Sequence, residues 1–387
     1  IIEKNAYLGG ILNQCIHNGF GIHEFKEELT GPEFMTRFSE KVKELNIEYK
    51  LESNVLSISD NKVVTYSNIN DGVVEVKAKA IILTTGCYER NAGAVQIPGD
   101  RPSGIYTAGQ AQLYANCYGY LVGKKVFILG SGDIGLIMAR RMTLAGAQVL
   151  GVAELNSYSA GLNRNIVQCL EDFNIPLYLS HTVKKVCGES HLEKVIIAQV
   201  DDKFNFIEGT EKEFECDTLL LSVGLLPNVD LLKKIDVPLS KTRGARVSQA
   251  MESEVRGIFS AGNVLHVHDL VDYVVEEARE AAEGAIKYLS GKLTREGHVY
   301  EVNPGNLIGY VVPQVLYIDD VDDVCSFKFR VAKPLKDINI VISEGDRIIK
   351  TIHKLAIVPS EMEIVSVPKG LFKKENNEIL IYVEEKK

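Results

Sequence analysis

The sequence predicts an α/β fold in which two Rossmann-like, three-layer domains precede a small antiparallel β domain. An apolar strand, a glycine turn, a helix and a second apolar strand follow one another between Lys124 and Glu154. Two apolar runs, AIILTTG and DTLLLSVG, end in small residues and a glycine, as do strands buried on both faces. Beyond about Asn303 the chain alternates apolar and polar residues between turns, which is the period of antiparallel strands.

Composition limits the class of protein. The 387 residues, 45% of them hydrophobic, are enough for two or three domains with sizeable cores. A net charge of −9 with both signs mixed argues against a nucleic-acid-binding groove. No run approaches the roughly 18 apolar residues of a membrane span, and none resembles a signal peptide. We therefore expect a cytoplasmic protein that binds no nucleic acid and does not span a membrane.

The cysteines indicate reduced thiols. Their number is odd, and they form no C-x-x-C pair and no pair at metal-ligand spacing. We therefore expect neither a zinc site nor an iron–sulfur cluster. The seven positions are Cys15, Cys87, Cys117, Cys169, Cys187, Cys216 and Cys325.

The first hundred residues carry several signals. The start at Ile1-Ile2-Glu3 looks like the end of a Rossmann strand, so we expect a segment to precede it in nature. A glycine-rich loop, NAYLGGILNQCIHNGFG, comes next, and apolar spacing predicts a helix from Pro32 to Leu45. The stretch from Cys87 to Gln112 is rich in Gly and Pro, and is predicted to be a functional loop or an inter-domain crossover.

The most specific motif is G-x-G-x-x-G at Gly130, Gly132 and Gly135. Gly130 permits the tight turn, Gly132 lets backbone N–H groups approach a pyrophosphate at the helix N-terminus, and Gly135 allows close helix–strand packing. Because strand, turn, helix and strand occur in that order, the motif predicts a dinucleotide site.

Glu154 bears on which dinucleotide binds. A carboxylate after the second strand accepts a hydrogen bond from a ribose 2′-OH and repels a 2′-phosphate. No Lys or Arg follows before Arg164, so the sequence favours NAD(H) over NADP(H). The structural alternative is a solvated charge at the end of a strand.

Further along, the DTLLLSVG strand ends at Gly224, and a second strand leads into Gly262 and Asn263. An Ala- and Glu-rich segment predicts a helix from Val274 to Leu289. The C-terminal strands bring no convergent His, Cys or acidic set. We interpret that domain as a packing or subunit-contact module, with substrate binding as the alternative.

The order of motifs over residues 1 to 295 resembles the FAD-dependent pyridine nucleotide–disulfide oxidoreductases, flavoproteins with two dinucleotide-binding folds. The matching pieces are Glu3, the GG-x-LN-x-C-I loop, the T-T-G strand end, the glycine motif and G-I-F-S-A-G-N. The resemblance implies an FAD domain formed by residues 1–97 and 226–295, an NAD(P) domain inserted as residues 98–225, and the β domain at 303–387.

By this resemblance Glu3 would hold the adenosine ribose, and Asn263 would stand where an acid usually contacts the ribityl chain. The helix after Asp269 would direct its positive N-terminal end toward the flavin pyrimidine ring. The implied cofactors are FAD and NAD(P)H, with NADH favoured. The residues implied to contact FAD are Glu3, Gly9, Gly10, Thr85, Gly86, Gly224, Gly262 and Asn263.

Two features refine the resemblance. The stretch TTGCYERNAGAVQIPGDRPSGIYTAGQAQ looks like the crossover of the sarcosine oxidase α, opine oxidase and hydrogen cyanide synthase group, and the LGGILNQCIHNGFG loop looks like flavoproteins associated with glycerol-3-phosphate oxidation. Disulfide reductases carry two loop cysteines, whereas Ile11 stands where the first is expected, so dithiol chemistry is not expected. Cys15 is either a thiolate beside the flavin, its pKa lowered by His17, or a small buried residue.

Three residues are candidates for catalysis: Cys15, His17 and His268. His266 and His268 flank the predicted helix start, where one could serve as an acid or base near the flavin. Metal binding by the H-x-H-D sequence is the alternative, but no clear third ligand is evident, so no metal is predicted. Asp269 is expected to cap the helix.

These signals predict an FAD-dependent NAD(P)H oxidoreductase that passes electrons to a small-molecule substrate or a redox protein partner. One alternative is an amine- or opine-type dehydrogenase subunit. The other is a flavin-free, non-catalytic fragment, since the glycine loop for FAD would precede residue 1. A homo-oligomer, or a subunit of a larger oxidoreductase, is compatible with either enzyme.

Overall fold

The computed structural model describes residues 1–385. Helix α1 begins with a capping box, in which Thr30 and Glu33 satisfy each other's backbone N–H groups and Pro32 occupies the first turn. The elements up to residue 90 are a 3-10 helix (Gly10–Gln14), β1 (Asn18–Phe20), β2 (Leu29–Thr30), α1 (Gly31–Glu44), β3 (Asn54–Ile58), β4 (Val63–Asn68), β5 (Gly72–Lys77), β6 (Ile81–Leu83) and β7 (Cys87–Glu89).

The next region contains the glycine motif. Its parallel strands pair in the order β11-β10-β9-β15-β8, and β12, β13 and β14 form an antiparallel sheet. The elements are β8 (Ile105–Thr107), α2 (Ala108–Cys117), β9 (Lys125–Leu129), α3 (Asp133–Leu144), β10 (Gln148–Glu154), α4 (Asn163–Cys169), a 3-10 helix (Glu171–Phe173), β11 (Leu177–Leu179), β12 (His181–Cys187), β13 (Lys194–Gln199), β14 (Lys212–Glu215), β15 (Thr218–Leu221) and β16 (Leu225–Pro227).

This region has three layers because successive residues of a strand point to opposite faces. Ile128 of β9 packs in a core shared with α2, α3 and α4. Its neighbours Phe127 and Leu129 pack in a second core with residues of β12 and β13. The parallel sheet is therefore buried on both faces, as the apolar run DTLLLSVG predicted. The same prediction is wrong for the run AIILTTG, which forms β6 in a two-stranded sheet and leaves Ile82 41% exposed.

The prediction of a Gly- and Pro-rich loop from Cys87 to Gln112 is partly wrong. Its end is ordered as β8 and the first turns of α2, which begins with Thr107 accepting a hydrogen bond from the backbone N–H of Gln110. Its start is β7, which pairs antiparallel with β16 to form a two-stranded link. Both connections between the first region and the region of the glycine motif thus pass through one ribbon.

The chain then returns to the first region. β17 pairs in parallel with β6, and the predicted helix is α6, which begins three residues earlier than expected. The elements are α5 (Asp230–Lys233), β17 (Ile258–Ser260), a 3-10 helix (Gly262–Val264) and α6 (Val271–Leu289).

The C-terminal region is a sandwich of two sheets, β20-β18-β25-β22-β23 and β19-β21-β24, around one apolar core. The expectation of antiparallel pairing is wrong for β18 and β25, which are parallel. They are the first and last strands here, so no hairpin fixes their direction. The strands are β18 (Val299–Pro304), β19 (Ile308–Val312), β20 (Val315–Tyr317), β21 (Val324–Val331), β22 (Leu335–Glu344), β23 (Arg347–Ile357), β24 (Glu363–Pro368) and β25 (Glu378–Glu385).

Among the described residues, no helix has the length and apolar character needed to cross a bilayer.

Candidate functional site

The glycine motif forms a tight turn between β9 and α3, packed against Ser222 at the end of β15. Gly130 has φ of 97°, and a Cβ there would lie 2.1 Å from the carbonyl oxygen of Ser222. A Cβ on Gly135 would lie 2.6 Å from the Cβ of Ser222. Both positions therefore require glycine because the neighbouring strand is too close for a side chain.

The N-terminus of α3 is open to a ligand. Gly132 is the N-cap and supplies no side-chain acceptor. The first-turn side chain, Asp133, turns away and accepts from the backbone N–H of Leu162 and from Asn165. The Ser222 hydroxyl accepts from the backbone N–H of Gly135 at 3.1 Å, and no other side chain of the described residues caps this first turn. The remaining first-turn N–H groups, at the positive end of a helix, suit a pyrophosphate.

Glu154 ends β10 directly beside this turn. Its side chain is not a solvated charge: it is 5% exposed. One carboxylate oxygen accepts from the backbone N–H of Ser131 (2.9 Å) and from its hydroxyl (2.6 Å). The other oxygen accepts from the backbone N–H and the side-chain amide of Asn156. Glu154 thus holds the second residue of the glycine motif in place, which sequence reasoning missed.

The residues that the sequence assigned to FAD lie in the first region. Glu3 follows a parallel bridge between Ile2 and Lys50, and its carboxylate accepts from the backbone N–H of Asn5. Gly9 and Gly10 have φ of 108° and 55° and start the 3-10 helix. These positive φ values explain the two glycines.

Thr85, Gly86 and Gly224 lie together at the two-stranded link of β7 and β16. The Thr85 hydroxyl donates to the carbonyl of Asn228, and the N–H of Asn228 donates to the carbonyl of Gly86. Gly224 accepts from the N–H of Arg90. These residues join the two regions at the carboxyl end of β6, where the resemblance expected the flavin.

The chain returns past this point at the end of β17. The Ser260 hydroxyl is buried without a hydrogen-bond partner among the described residues. Gly262 has φ of 77°. The amide of Asn263 accepts from the backbone N–H of His268 at 3.0 Å and lies 3.7 Å from the sulfur of Cys87. An orphaned hydroxyl beside a glycine turn fits a polar ligand at this strand end.

The start of α6 differs from expectation. Its N-cap is Leu270, which makes no side-chain cap. Asp269, the expected cap, accepts instead from Arg330 of β21 (2.9 Å) and from the backbone N–H of Met362. The prediction that Asp269 caps the helix is therefore wrong, because the guanidinium of Arg330 in the C-terminal region binds the Asp269 carboxylate. Among the described residues no side chain caps the start of α6, so the helix N-terminus keeps its positive end.

Asp272, in the first turn of α6, ties the glycine-rich loop to this helix. Its carboxylate accepts from the backbone N–H groups of Gly21, His23 and Glu24 at 3.2, 3.0 and 2.7 Å. The side chain is buried. No local pattern in the sequence indicates this role of Asp272, since its three donors lie some 250 residues away.

His266 and His268 join a buried ionic cluster, not an open site. The Nε2 of His266 donates to Glu277 at 2.7 Å, and the Nε2 of His268 lies 3.4 Å from the same oxygen. The other Glu277 oxygen accepts from the N–H of Gly262. Burial lowers the pKa of His266 to about 4, so its ring is neutral near pH 7.

Lys328 of β21 completes this cluster. Its ammonium, 2% exposed, lies 3.2 Å from Glu277 and 2.5 Å from Glu280. Burial alone would lower the pKa of Lys328, but the two carboxylates raise it above its usual value. A lysine between Phe327 and Phe329 was the signal available in the sequence. The C-terminal region thus contacts the helix that begins at the candidate flavin site.

The cluster also bears on metal binding. The sequence showed no third ligand beside the two histidines, but the structure places Glu277 there. The possible ligand atoms of His266, His268 and Glu277 all lie within 4.8 Å of one another. The cation next to that carboxylate is the ammonium of Lys328. A divalent ion there would be repelled by it, so no metal is assigned.

Cys15 and His17 lie in the loop before β1. The Cys15 sulfur donates to the carbonyl of Ile11 and lies 3.7 Å from the side-chain oxygen of Gln112 on α2. Burial, with a smaller effect of Cys117, raises the pKa of Cys15 to about 12. His17 does not lower that pKa, and its own pKa is depressed by burial and two arginines. The geometry therefore favours Cys15 as a buried thiol.

The fold and the glycine cradle define a class: an α/β protein with a parallel sheet and a dinucleotide-binding turn. Residues 4–285 match the family described as "Pyridine nucleotide-disulphide oxidoreductase". The chain belongs to this family. The family predicted from the sequence is thereby confirmed, and the predicted cofactors, FAD and NAD(P)H, are those of this family.

Individual relatives are distant. Thioredoxin reductase of Bacillus subtilis (strain 168) is 25% identical over 242 residues, which are 62% of this chain and 71% of the reductase. NADH oxidase of Enterococcus faecalis (strain ATCC 700802 / V583) is 27% identical over 233 residues, which are 59% of this chain and 50% of the oxidase.

Solved structures agree on the fold. Thioredoxin reductase of T. acidophilum superposes with a TM-score of 0.58 at 22% identity, covering 75% of this chain and 90% of the reductase. Thioredoxin reductase of Lactococcus lactis, in its FR conformation, gives 0.59 at 18% identity with the same coverage. The predicted α/β fold with parallel sheets is confirmed. These comparisons support the family and not the finer sarcosine and opine oxidase group.

Proposed function

We propose that this protein is an FAD-dependent NAD(P)H oxidoreductase that passes electrons from the nicotinamide to a small substrate or a redox protein. The observation that carries the proposal is the turn from Gly130 to Gly135. Its glycines are packed against Ser222, and the N-cap of α3 is Gly132, which has no side chain to compete with a ligand for the N–H groups. That arrangement suits the pyrophosphate of a dinucleotide.

The residues near the strand ends of the first region suit the second cofactor. The orphaned Ser260 hydroxyl, the positive-φ glycines 9, 10 and 262, and the uncapped start of α6 provide polar groups and close backbone approach. Glu3 would contact the adenosine ribose, and Asn263 the ribityl chain. When bound, FAD supplies the hydride and electron chemistry.

The role of this chain is to bind and orient. The helix dipole of α6 favours negative charge at the flavin pyrimidine ring. Asp272 fixes the turn that follows β1, and the β7–β16 link sets how the nicotinamide region meets the first region. Glu154, already bonded to Ser131, would accept from the NADH ribose and repel the 2′-phosphate of NADPH.

An anaerobic titration tests the proposal. The flavin-containing protein is mixed with NADH, and the visible flavin absorption should fall. The Gly130→Ala variant should resist this bleaching, and Gly146→Ala, whose Cβ would meet open space, should not. If neither NADH nor NADPH bleaches the flavin of the unaltered protein, the proposal is wrong.

The amine- or opine-type dehydrogenase rests on the crossover resemblance alone. In that case an amine or opine, and not NAD(P)H, would reduce the flavin. A flavin-free role would show as a colourless preparation that stays colourless after incubation with FAD. Reduction by NAD(P)H, reduction only by an amine or opine, and a colourless preparation therefore distinguish the three hypotheses.

A further inference from the structure

Three basic side chains converge where the glycine-rich loop of the first region meets the helices of the inserted region. His17 comes from the loop before β1, Arg140 from α3 and Arg164 from α4. The Arg164 guanidinium lies against Gly19, with Nη2 3.5 Å from the position of a Cβ there. Both arginine charges act on His17, since together with burial they depress its pKa.

Within residues 1–385 these side chains lack hydrogen-bond and ion-pair partners. No salt bridge or hydrogen bond of the Arg140 or Arg164 guanidinium exists there, whereas the adjacent Arg141 donates to Asn116. His17 Nδ1 and Arg140 Nε are buried with no hydrogen-bond partner. Buried polar atoms without partners are rare and costly, so two of them in one cluster indicate that a ligand completes it.

Nearby acids form no ion pair with the cluster. Asp133, the first residue of α3, accepts hydrogen bonds from the backbone N–H of Leu162 and the side-chain amide of Asn165. Asp172 follows α4 and raises the pKa of the nearby Cys169 thiol, which Arg140 lowers. Asp172 forms no ion pair with Arg140 or Arg164 in the described chain. The guanidinium groups of Arg140 and Arg164 are therefore left without an ion-pair partner in the described chain.

We propose that His17, Arg140 and Arg164 bind a small anion through a phosphate or carboxylate group. Two guanidinium groups can each donate two hydrogen bonds to such a group, and the imidazole can add a third donor. The proposed site exists only when the loop and the two helices pack together. As the anchor of a substrate, next to the loop of Cys15, it rests on the proposed function; as an anion site it stands alone.

The site is separate from the nucleotide turn. Arg140 lies seven residues beyond Asp133 along α3, which at 1.5 Å per residue is about 10 Å from the helix N-terminus. A pyrophosphate held at Gly132 would therefore not satisfy the Nε of Arg140.

Titration with inorganic phosphate and acetate at constant ionic strength tests the inference. Phosphate binding is measured by 31P NMR and by the shift in melting temperature, with NADH present to fill the nucleotide turn. We expect saturable binding that Arg140→Gln weakens about tenfold or more, through loss of charged hydrogen bonds. Arg164→Gln, an exposed position that spares folding, should do the same. Arg243→Gln, an exposed arginine without a side-chain partner in the described chain, is the control.

The outcomes are distinct from those of the flavin titration. Stronger binding of acetate than of phosphate would assign the site to carboxylates, and the reverse to phosphates; both support it. Binding that NADH abolishes, or that both variants leave unchanged, would overturn it. A preference for NADPH that disappears in Arg164→Gln would also overturn it, since the arginine would then serve the nucleotide.

Discussion

The ammonium of Lys328 lies 3.2 Å from the carboxylate of Glu277, which joins a strand of the C-terminal sandwich to a helix of the first region. Both side chains are buried, and Glu277 also holds the N–H of Gly262 and the ring of His266. The C-terminal region is thereby tied to the turn that precedes Asn263. It supports the candidate flavin site without contributing a residue to the nucleotide turn.

Lys328→Met should destabilise the protein by about 3 kcal/mol, because Glu277 and Glu280 would lose their buried cation. Urea unfolding measures the change. Lys333→Met is the control, since the exposed pair of Lys333 with Glu385 should be worth less than about 1 kcal/mol. Equal losses in both variants would contradict a buried ion pair. Adding Glu277→Gln to Lys328→Met should recover part of the loss.

Stability should fall as the pH drops from 6.5 toward 4. Burial lowers the pKa of His266 from 6.5 to about 4, so in that window the unfolded chain binds more protons than the folded one. This contribution is complete above pH 6.5 and amounts to about 3 kcal/mol at most. Glu277, whose pKa is depressed, adds its own loss only below its usual value of 4.5.

His266→Asn checks this dependence in melting curves at several pH values. The slope between pH 6.5 and 4 should flatten relative to the unaltered protein. The control variant is His23→Asn, at an exposed position, which should leave the slope as it was. A slope that survives in His266→Asn would assign the pH dependence to other groups.

Gly130→Ala should abolish tight NADH binding. The added Cβ would lie 2.1 Å from the backbone carbonyl of Ser222, so β15 or the turn must move. Gly146→Ala shares the positive φ but meets open space, and therefore isolates the effect of backbone strain. Calorimetry with NADH compares the two. Similar affinities in both variants would mean that close packing at Gly130 is not needed.

Glu154→Gln should lower the preference for NADH over NADPH, because the negative charge beside the ribose is lost while a hydrogen-bonding side chain remains. Glu154→Ala should weaken both nucleotides, about tenfold or more, since Ser131 loses its acceptor. Asn156→Ala is the control for the neighbouring contact. If the ratio of NADH affinity to NADPH affinity is unchanged in Glu154→Gln, Glu154 only stabilises the turn and does not select the nucleotide.

Cys15 should resist alkylation at pH 8. With a pKa of about 12, only about one thiol in ten thousand is ionised at that pH. The exposed Cys117 should react first, as mass spectrometry of the iodoacetamide-treated protein would show. Labelling of Cys15 at a rate equal to that of Cys117 would restore the thiolate interpretation.

Local sequence patterns were sufficient to predict the nucleotide turn and helix α1. At Gly130 the required φ is a property of a few consecutive residues, and at Thr30 the capping box spans one turn. The parallel pairing of β18 with β25 could not be predicted in this way, because it joins strands separated by most of the C-terminal region.

The charged residues show the same division. Asp269 looked like a helix cap because its neighbours in sequence start a helix, but Arg330 lies 61 residues away and takes its carboxylate. Glu154 looked solvated because it follows a strand, yet Ser131 and Asn156 enclose it. Burial of a charge depends on what packs over it, which the local sequence does not specify.

The sequence by itself determined the family, the α/β fold and the glycine turn, because backbone conformation and apolar periodicity are encoded within short segments. Only the tertiary structure decided that Lys328 neutralises Glu277, and that His17 meets Arg140 and Arg164. These contacts join residues 51 or more positions apart, and their energies come from desolvation and charge pairing in a folded interior.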